Sequence, residues 1–424
     1  MGAVSAGIRT AHLENKGLTD LKTGRPDIEL EQAVALILKT PPIPGEKIIP
    51  LRLSHGMILA GDICSGINQP PFDRSPLDGY ALRSQDTKGA SPSSPVTLSV
   101  AAKLCAGDPP IAGVHGNQAV RIMTGAPIPQ GCDCVIKQEE AGFSETHITI
   151  YRPLIRHENF CFCGEDFKAG SLLLKAGTRL NAAAIGVLAS AGIPQVAVRQ
   201  TPRAALVITG DELVEPAPGK ALPPGKIYSS NLSMLFARLC ELGFDPAFAL
   251  QTGDNPKAAA ELIRETLEQA DMMITTGGVS VGERDLFNEV FPLLGASQVF
   301  HGVKIKPGAP AMFSFFEGKP VLSLSGNPFA AAATFELLGR PLLSALSGDS
   351  SLLPVKALAA LASSYGKASP YRRFLRGILN NGKVVLPEGQ TSGQLRSLAE
   401  CNCLVEILPN TQVNEGDILE VYLL

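Results

Sequence analysis

The residues able to do chemistry in this chain gather around two short glycine-rich stretches. In "ITTGGVSVGERD" an apolar run ends in Thr-Thr-Gly-Gly; Gly277, Gly278, Val279, Ser280 and Gly282 mark the turn, and two acids, Glu283 and Asp285, follow. Glycines directly after a strand let something come close to the backbone, and a turn of exposed amides can cradle a phosphate. The acids would repel a bare phosphate unless a cation lay between them. Mg2+ takes oxygen ligands and bridges carboxylate to phosphate, and Asp211, Glu212, Asp254 and Asp285 are the candidate donors. The second stretch, Ser325, Gly326, Asn327 and Pro328, leads into a long helical pattern, so its amides and the helix dipole favour an anion. Neither stretch is a Walker loop or a G-x-G-x-x-G turn. Taken one at a time, each also has a plain reading: strand-to-helix geometry, a capped helix start, a solvated loop acid.

What favours a site is where these residues fall. Between about Arg203 and Ser347 strand and helix patterns alternate. "AALVI" ends at Thr209-Gly210-Asp211-Glu212. "NLSMLFARLCELG" carries Leu232, Leu235, Phe236, Leu239 and Leu242 on one helical face, with Asn231 as its expected cap. "PAFAL" ends near Asp254, "NPKAAAELIRETLEQA" is a helix capped by Asn255, and "MMITT" runs into the first glycine stretch. "RDLFNEVFPLLG" reads as a helix interrupted by Pro292, and "PVLSL" runs into the second glycine stretch. Such alternation implies a parallel sheet with helices on both faces. Ligands of such sheets bind beyond the carboxyl ends of the strands. The acids and both glycine turns fall at that edge, and Asn231 joins them as a candidate substrate contact.

The flanks differ in pattern. The expected layout is a tail over 1–27, one domain from 28–69 with 151–200, a small β-rich domain over 70–150, the α/β domain over 201–348 and a C-terminal β domain over 349–424. In the last, "RRFLRGIL", "KVVLP", "CLVEIL" and "DILEVYLL" read as strands of a small barrel or sandwich. The 424 residues carry a formal charge of −3, with 45% hydrophobic and 18% charged residues, which is ordinary for a globular protein and gives no nucleic-acid signal. No apolar stretch looks long and clean enough to span a bilayer, and the N-terminal twenty residues lack the apolar core of a signal peptide, so a cytoplasmic address is expected. Nine cysteines, six of them in three C-x-C pairs, read as reduced thiols rather than as a disulfide framework or a zinc site.

Several stretches together resemble one family. "FDRSPLDGYALR", "RIMTGAPIPQGCDCVIKQEE", "GEDFKAGSLLLKAGTRL", "TGDEL", "GKIYSSN", "TTGGVSVGERD", "IKPGAP" and "SGNPFAAAATFELL" stand in the order found in the molybdopterin molybdenumtransferases, the MoeA and gephyrin E-domain family. The resemblance covers residues 28–424. It implies a homodimer of four-domain protomers that takes adenylylated molybdopterin and molybdate, inserts the metal and releases AMP with Mg2+. It further implies a site shared between the sheet domain of one protomer and an N-terminal domain of its partner. By position, the family's acids fall on Asp78, Asp166, Glu212, Asp254 and Asp285, its threonine on Thr124 and its phosphate-side lysine on Lys306. Its C-terminal arginine and serine fall on Arg376 and Ser392. The enzyme that supplies the substrate, molybdopterin adenylyltransferase, is then an expected partner, and neither nucleic acid nor membrane is.

The chain departs from the family pattern where oxyanion binding is at stake. The usual "KPGKP" is "KPGAP", so Ala309 replaces a basic residue, and a second lysine position falls on Gly302. Lys304 lies one residue out of step with Lys306 and should face the other way on a strand. Arg74 replaces an asparagine. Tungstate use, an adenylyltransferase and a pterin-binding scaffold without catalysis are the alternatives these departures leave open.

Overall fold

The computed structural model describes residues 27–424 apart from 112, 220 and 280–285. Two units fold compactly: one comprises the chain up to Ile43 together with Thr201–Leu424, the other Pro44–Gln200.

The first unit is built on six strands in the order Phe248–Thr252, Ala204–Thr209, Met272–Thr276, Lys319–Leu324, Met312–Phe316 and Ser297–His301. The first four run parallel. The last two pair antiparallel, a departure from the wholly parallel sheet that the alternation suggests. The cause is local: Glu317 and Gly318, with φ of 49° and 79°, close a two-residue hairpin where a helical crossover was expected. Strand residues alternate between two cores. Leu206, Ile208, Ile274, Leu322 and Leu324 pack on Leu232, Leu235, Leu239 and Phe329. Ala205, Val207, Met273 and Val321 pack on Ile263, Leu267, Phe287 and Val290 from the opposite face. The Leu30–Ile37 helix joins the first core through Leu30, Ala33 and Ile37.

Three local expectations change. The Ser230–Glu241 helix is capped by Ser229, so Asn231 lies inside its first turn. Pro292 does not interrupt its helix, which runs Leu286–Leu294 with the proline in the last turn. The stretch from Pro328 to Ser347 does meet the length and hydropathy of a membrane span, with mean hydropathy 1.2, yet 89% of it is buried as a core helix of the sheet domain. It contains a wide turn over Phe335–Gly339, just before Pro341, whose missing N–H leaves a carbonyl of the preceding turn without its usual partner.

Beyond the sheet, Arg372–Asn380, Lys383–Val385, Val355–Leu361, Ile418–Leu423 and Cys403–Ile407 pair in that order. A further pairing of the first with the last closes a five-stranded barrel. The short strand Ile305–Lys306 adds to it in parallel, with Lys306 opposite Arg373.

In the second unit, Cys134–Lys137, Gly79–Leu82, Gln118–Ile122, Val96–Leu104, His147–Ile150 and Ala141–Phe143 form a mixed sheet. Glu46–Pro50 pairs antiparallel with Gln195–Arg199. They pack on the Ala182–Ser190 helix, which Asn181 caps, through Leu59, Leu188, Val196 and Val198. All nine cysteines are free thiols.

Candidate functional site

A cleft of about 1090 Å³ opens at the carboxyl ends of the parallel strands. Glu212, Asn231, Asp254, Gly277, Gly278, Val279, Lys306, Ser325, Gly326, Asn327, Pro328 and Ser392 all line it. The two glycine turns touch each other there. Gly277 has φ 87°, and a Cβ on it would fall onto the Thr209 carbonyl. A Cβ on Gly326 would stand 3.3 Å from Gly277 Cα. Glycine is therefore required at 277 by both conformation and space. Val279 lines the cleft with its main chain, since its side chain belongs to the second core.

Asn231 braces the two turns. Its Nδ2 donates to Thr276 Oγ1 at 3.2 Å and to the Gly326 carbonyl at 2.9 Å. Its move from the cap position into the first turn is what lets the amide reach both loops.

The acids stand on the opposite lip. Asp254 N–H donates to Asp211 Oδ1 at 3.1 Å, and Asp211 N–H to Asp254 Oδ2 at 3.4 Å, so each aspartate fixes the other's loop. Asp211, Glu212 and Asp254 are exposed. Among the described residues no three His, Cys, Asp or Glu side chains converge as a ready metal nest. Asp285, Ser280, Gly282 and Glu283 lie outside the described residues.

Lys306 is the cation lining the cleft among the described residues, facing Asp211, Glu212, Asp254 and Glu289. Lys304 does not replace a missing lysine, because its ammonium pairs with Glu29 at 2.7 Å, which holds its pKa above the usual lysine range. Gly302 has φ 96°, and a Cβ there would run into Asp27. The chain up to Ile28 occupies this place, with Ile28 bridging Val303. A lysine at 302 is therefore excluded by this backbone, whereas Ala309 lies in the cleft lining.

The barrel contributes Ser392 and Tyr371 to the lining. Arg376 does not reach it: its side chain is 0% exposed, its Nη2 donates to the Thr391 carbonyl at 2.9 Å, and its Nη1 donates to the Gln394 carbonyl. One amide expected for an anion is also taken, since Phe329 N–H donates to the Ser392 carbonyl at 3.0 Å.

Asp78, Thr124 and Asp166 belong to the second unit. Asp78 Oδ1 accepts from Thr124 N–H at 2.7 Å and from Thr124 Oγ1 at 2.8 Å. These two bonds, the backbone one foremost, hold its carboxyl below the usual range. Asp166 is exposed, and its N–H donates to the Gln69 carbonyl at 2.9 Å.

Sequence reasoning missed Tyr228, Glu289 and Tyr371 in the lining. "GKIYSSN" marked the neighbourhood of Tyr228, but nothing in sequence brought the barrel's Tyr371 to the sheet edge.

The fold and this cleft define a molybdopterin-binding type of α/β domain set between family-specific flanks. Comparison with known proteins agrees along the chain. The family described as the MoeA N-terminal region (domain I and II) matches residues 28–192, the probable molybdopterin binding domain matches 205–345, and the MoeA C-terminal region (domain IV) matches 359–424. A Staphylococcus epidermidis protein named molybdopterin molybdenumtransferase is 35% identical over 404 residues, covering 94% of this chain and 96% of the relative. A Staphylococcus aureus protein of the same name is 35% identical over 385 residues, covering 90% of this chain and 91% of the relative. A crystal structure of the molybdopterin biosynthesis MoeA protein of Pyrococcus horikoshii superposes with TM-score 0.81 at 33% identity, covering 94% of this chain and 99% of that one. The chain belongs to the MoeA family of molybdopterin molybdenumtransferases, enzymes of molybdenum cofactor biosynthesis.

Proposed function

We propose that this chain moves molybdenum from molybdate into adenylylated molybdopterin and releases AMP, with Mg2+ assisting. The observation that carries the reading is the single cleft in which two touching glycine turns, three exposed acids and Lys306 meet at the strand ends.

The donor set suits Mg2+. Asp211, Glu212 and Asp254 are hard oxygen donors at one lip, and Mg2+ is commonly held by one or two carboxylates with the remaining positions filled by phosphate and water. Bound there, the ion would neutralise charge on the adenylate phosphates. The protein's own part is chiefly placement. The glycine turns admit the pyrophosphate to the main chain, Asn231 keeps them in register, and Lys306 meets the oxyanion. Glu212 or Asp254 orients the group that attacks at the adenylate. Holding oxyanion and dithiolene together accounts for most of the rate. Asp285, by its position after the glycine turn, joins the acids in this reading.

Asp78, Thr124 and Asp166 act from a partner protomer in the same reading, which requires a homodimer. Exposed Ile48, Leu53, Ile155 and Leu172 in the Pro44–Gln200 unit support such an association. The free cysteines accord with a cytoplasmic enzyme, and the adenylyltransferase that makes the substrate would be its neighbour in the reaction order. The test is supply of adenylylated molybdopterin with molybdate or tungstate. AMP release that depends on the oxyanion supports the reading. Formation of adenylylated product from molybdopterin and MgATP would instead mark an adenylyltransferase, and binding without turnover a scaffold.

A further inference from the structure

The barrel reaches the cleft through one turn, and one buried charge holds that turn. Arg376 stands in the middle of the Arg372–Asn380 strand and is among the largest fully buried side chains of the protein. Its guanidinium donates to the carbonyls of Thr391 and Gln394, which flank Ser392. Gln390 locks the arginine's own main chain from both sides: its Oε1 accepts from Arg376 N–H at 3.0 Å and its Nε2 donates to the Arg376 carbonyl at 3.0 Å. The guanidinium also lies 3.9 Å from the ring centroid of Phe329, whose N–H is bound by the Ser392 carbonyl. Phe329 thus meets the turn twice, by ring and by amide. Three residues before Arg376, the same strand sets Arg373 opposite Lys306.

We infer that Arg376 is a positioning residue for the oxyanion end of the cleft: it fixes the Thr391–Gln394 turn and thereby presents Ser392 on the same side as Lys306. This rests on the reading of the cleft given above. No carboxylate pairs with Arg376 among its hydrogen bonds, and burial lowers its pKa from the usual arginine value. An apolar side chain of similar volume would avoid the desolvation cost of a buried charge, but it could not hold two carbonyls in a fixed fork geometry. The Arg372–Asn380 strand then sets both partners of the oxyanion, Lys306 by pairing and Ser392 through the arginine.

The test is a double-mutant cycle on the full-length protein, with molybdate as the probe in titration calorimetry. Arg376→Met and Ser392→Ala should each weaken molybdate binding by about tenfold, the size of one hydrogen bond to an anion. The double variant should be no worse than the weaker-binding single, because both act through one group. AMP binding should stay within about twofold in all three, which general loosening of the fold would not allow. Hydrogen exchange over residues 389–396 should rise in Arg376→Met and not in Ser392→Ala. Should Arg376→Met fail to fold, Gln390→Ala should raise exchange over the same turn and weaken molybdate binding. Unchanged molybdate binding in Arg376→Met or, in its place, in Gln390→Ala would overturn the inference. So would multiplication of the two single effects. Absence of molybdate binding by the wild type would overturn the oxyanion reading and the inference together.

Discussion

Adding a lysine at 309 should tighten the oxyanion site, and adding one at 302 should not, although both positions are basic in the family pattern. Four carboxylates and one ammonium line the cleft among the described residues, so a molybdate dianion enters against an unfavourable field. Ala309 lies in the lining beside Lys306, and its side chain has room to extend there. A hydrogen bond to a charged group contributes about 1.5–3 kcal/mol. The cleft is open to water, so solvent screening brings the expected gain from Ala309→Lys to about 1–2 kcal/mol. That is a fall of about fivefold to thirtyfold in the molybdate concentration giving half-maximal AMP release. The gain should shrink as ionic strength rises. At Gly302 the backbone has φ 96° and a Cβ meets Asp27. Gly302→Lys should therefore cost about 1–3 kcal/mol of stability, read as a lowered Tm, with no gain in oxyanion affinity. The reasoning fails if Ala309→Lys leaves half-saturation and its salt dependence unchanged. It also fails if Gly302→Lys melts like the wild type while tightening molybdate.

Thr124→Val removes the hydroxyl donor to Asp78 and leaves the N–H donor. The Asp78 pKa should rise part of the way toward its ordinary value in a carboxyl NMR titration. Because the folded pKa is depressed, the pair's contribution to stability is present above the ordinary aspartate pKa and is lost as pH falls through the folded one. The wild type should thus lose more stability than Thr124→Val in that acid window, and parallel acid-melting curves would count against the pairing. Asn231→Leu removes both bonds that brace the glycine turns and leaves two acceptors unpaired, costing about 1–3 kcal/mol in chemical denaturation. AMP affinity should fall with it, and a variant as stable and as tightly binding as the wild type would show that the turns need no brace.

The strands and helices of the sheet domain were legible because their apolar periods are long and their ends carry glycine, asparagine or proline. The helix capped by Asn255 is as its sequence implies. The antiparallel edge was not legible, since Glu317-Gly318 is a hairpin signal only when both residues take positive φ. Asn231 looked like a cap because it is a good capping residue before an apolar face, yet its amide found stronger use across two loops. The strand Val355–Leu361 escaped notice, as alanine and leucine in "VKALAAL" suit helix as well as strand. At the candidate site, local sequence marked the glycine turns and acids, because each follows its own strand. It gave no sign that Arg376 is enclosed or that Tyr371 reaches the sheet edge. Those placements depend on barrel closure and on the pairing of Lys306 with Arg373, contacts between residues far apart in the chain.

The central claim is that the cleft couples oxyanion binding to cleavage of the adenylate. The most direct measurement is AMP release from adenylylated molybdopterin by the wild-type protein with Mg2+, as molybdate is varied. The account predicts release that rises with molybdate, saturates and leaves molybdenum on the pterin in proportion to the AMP formed. AMP release indifferent to the oxyanion, or tight pterin binding with no AMP formed, would contradict it.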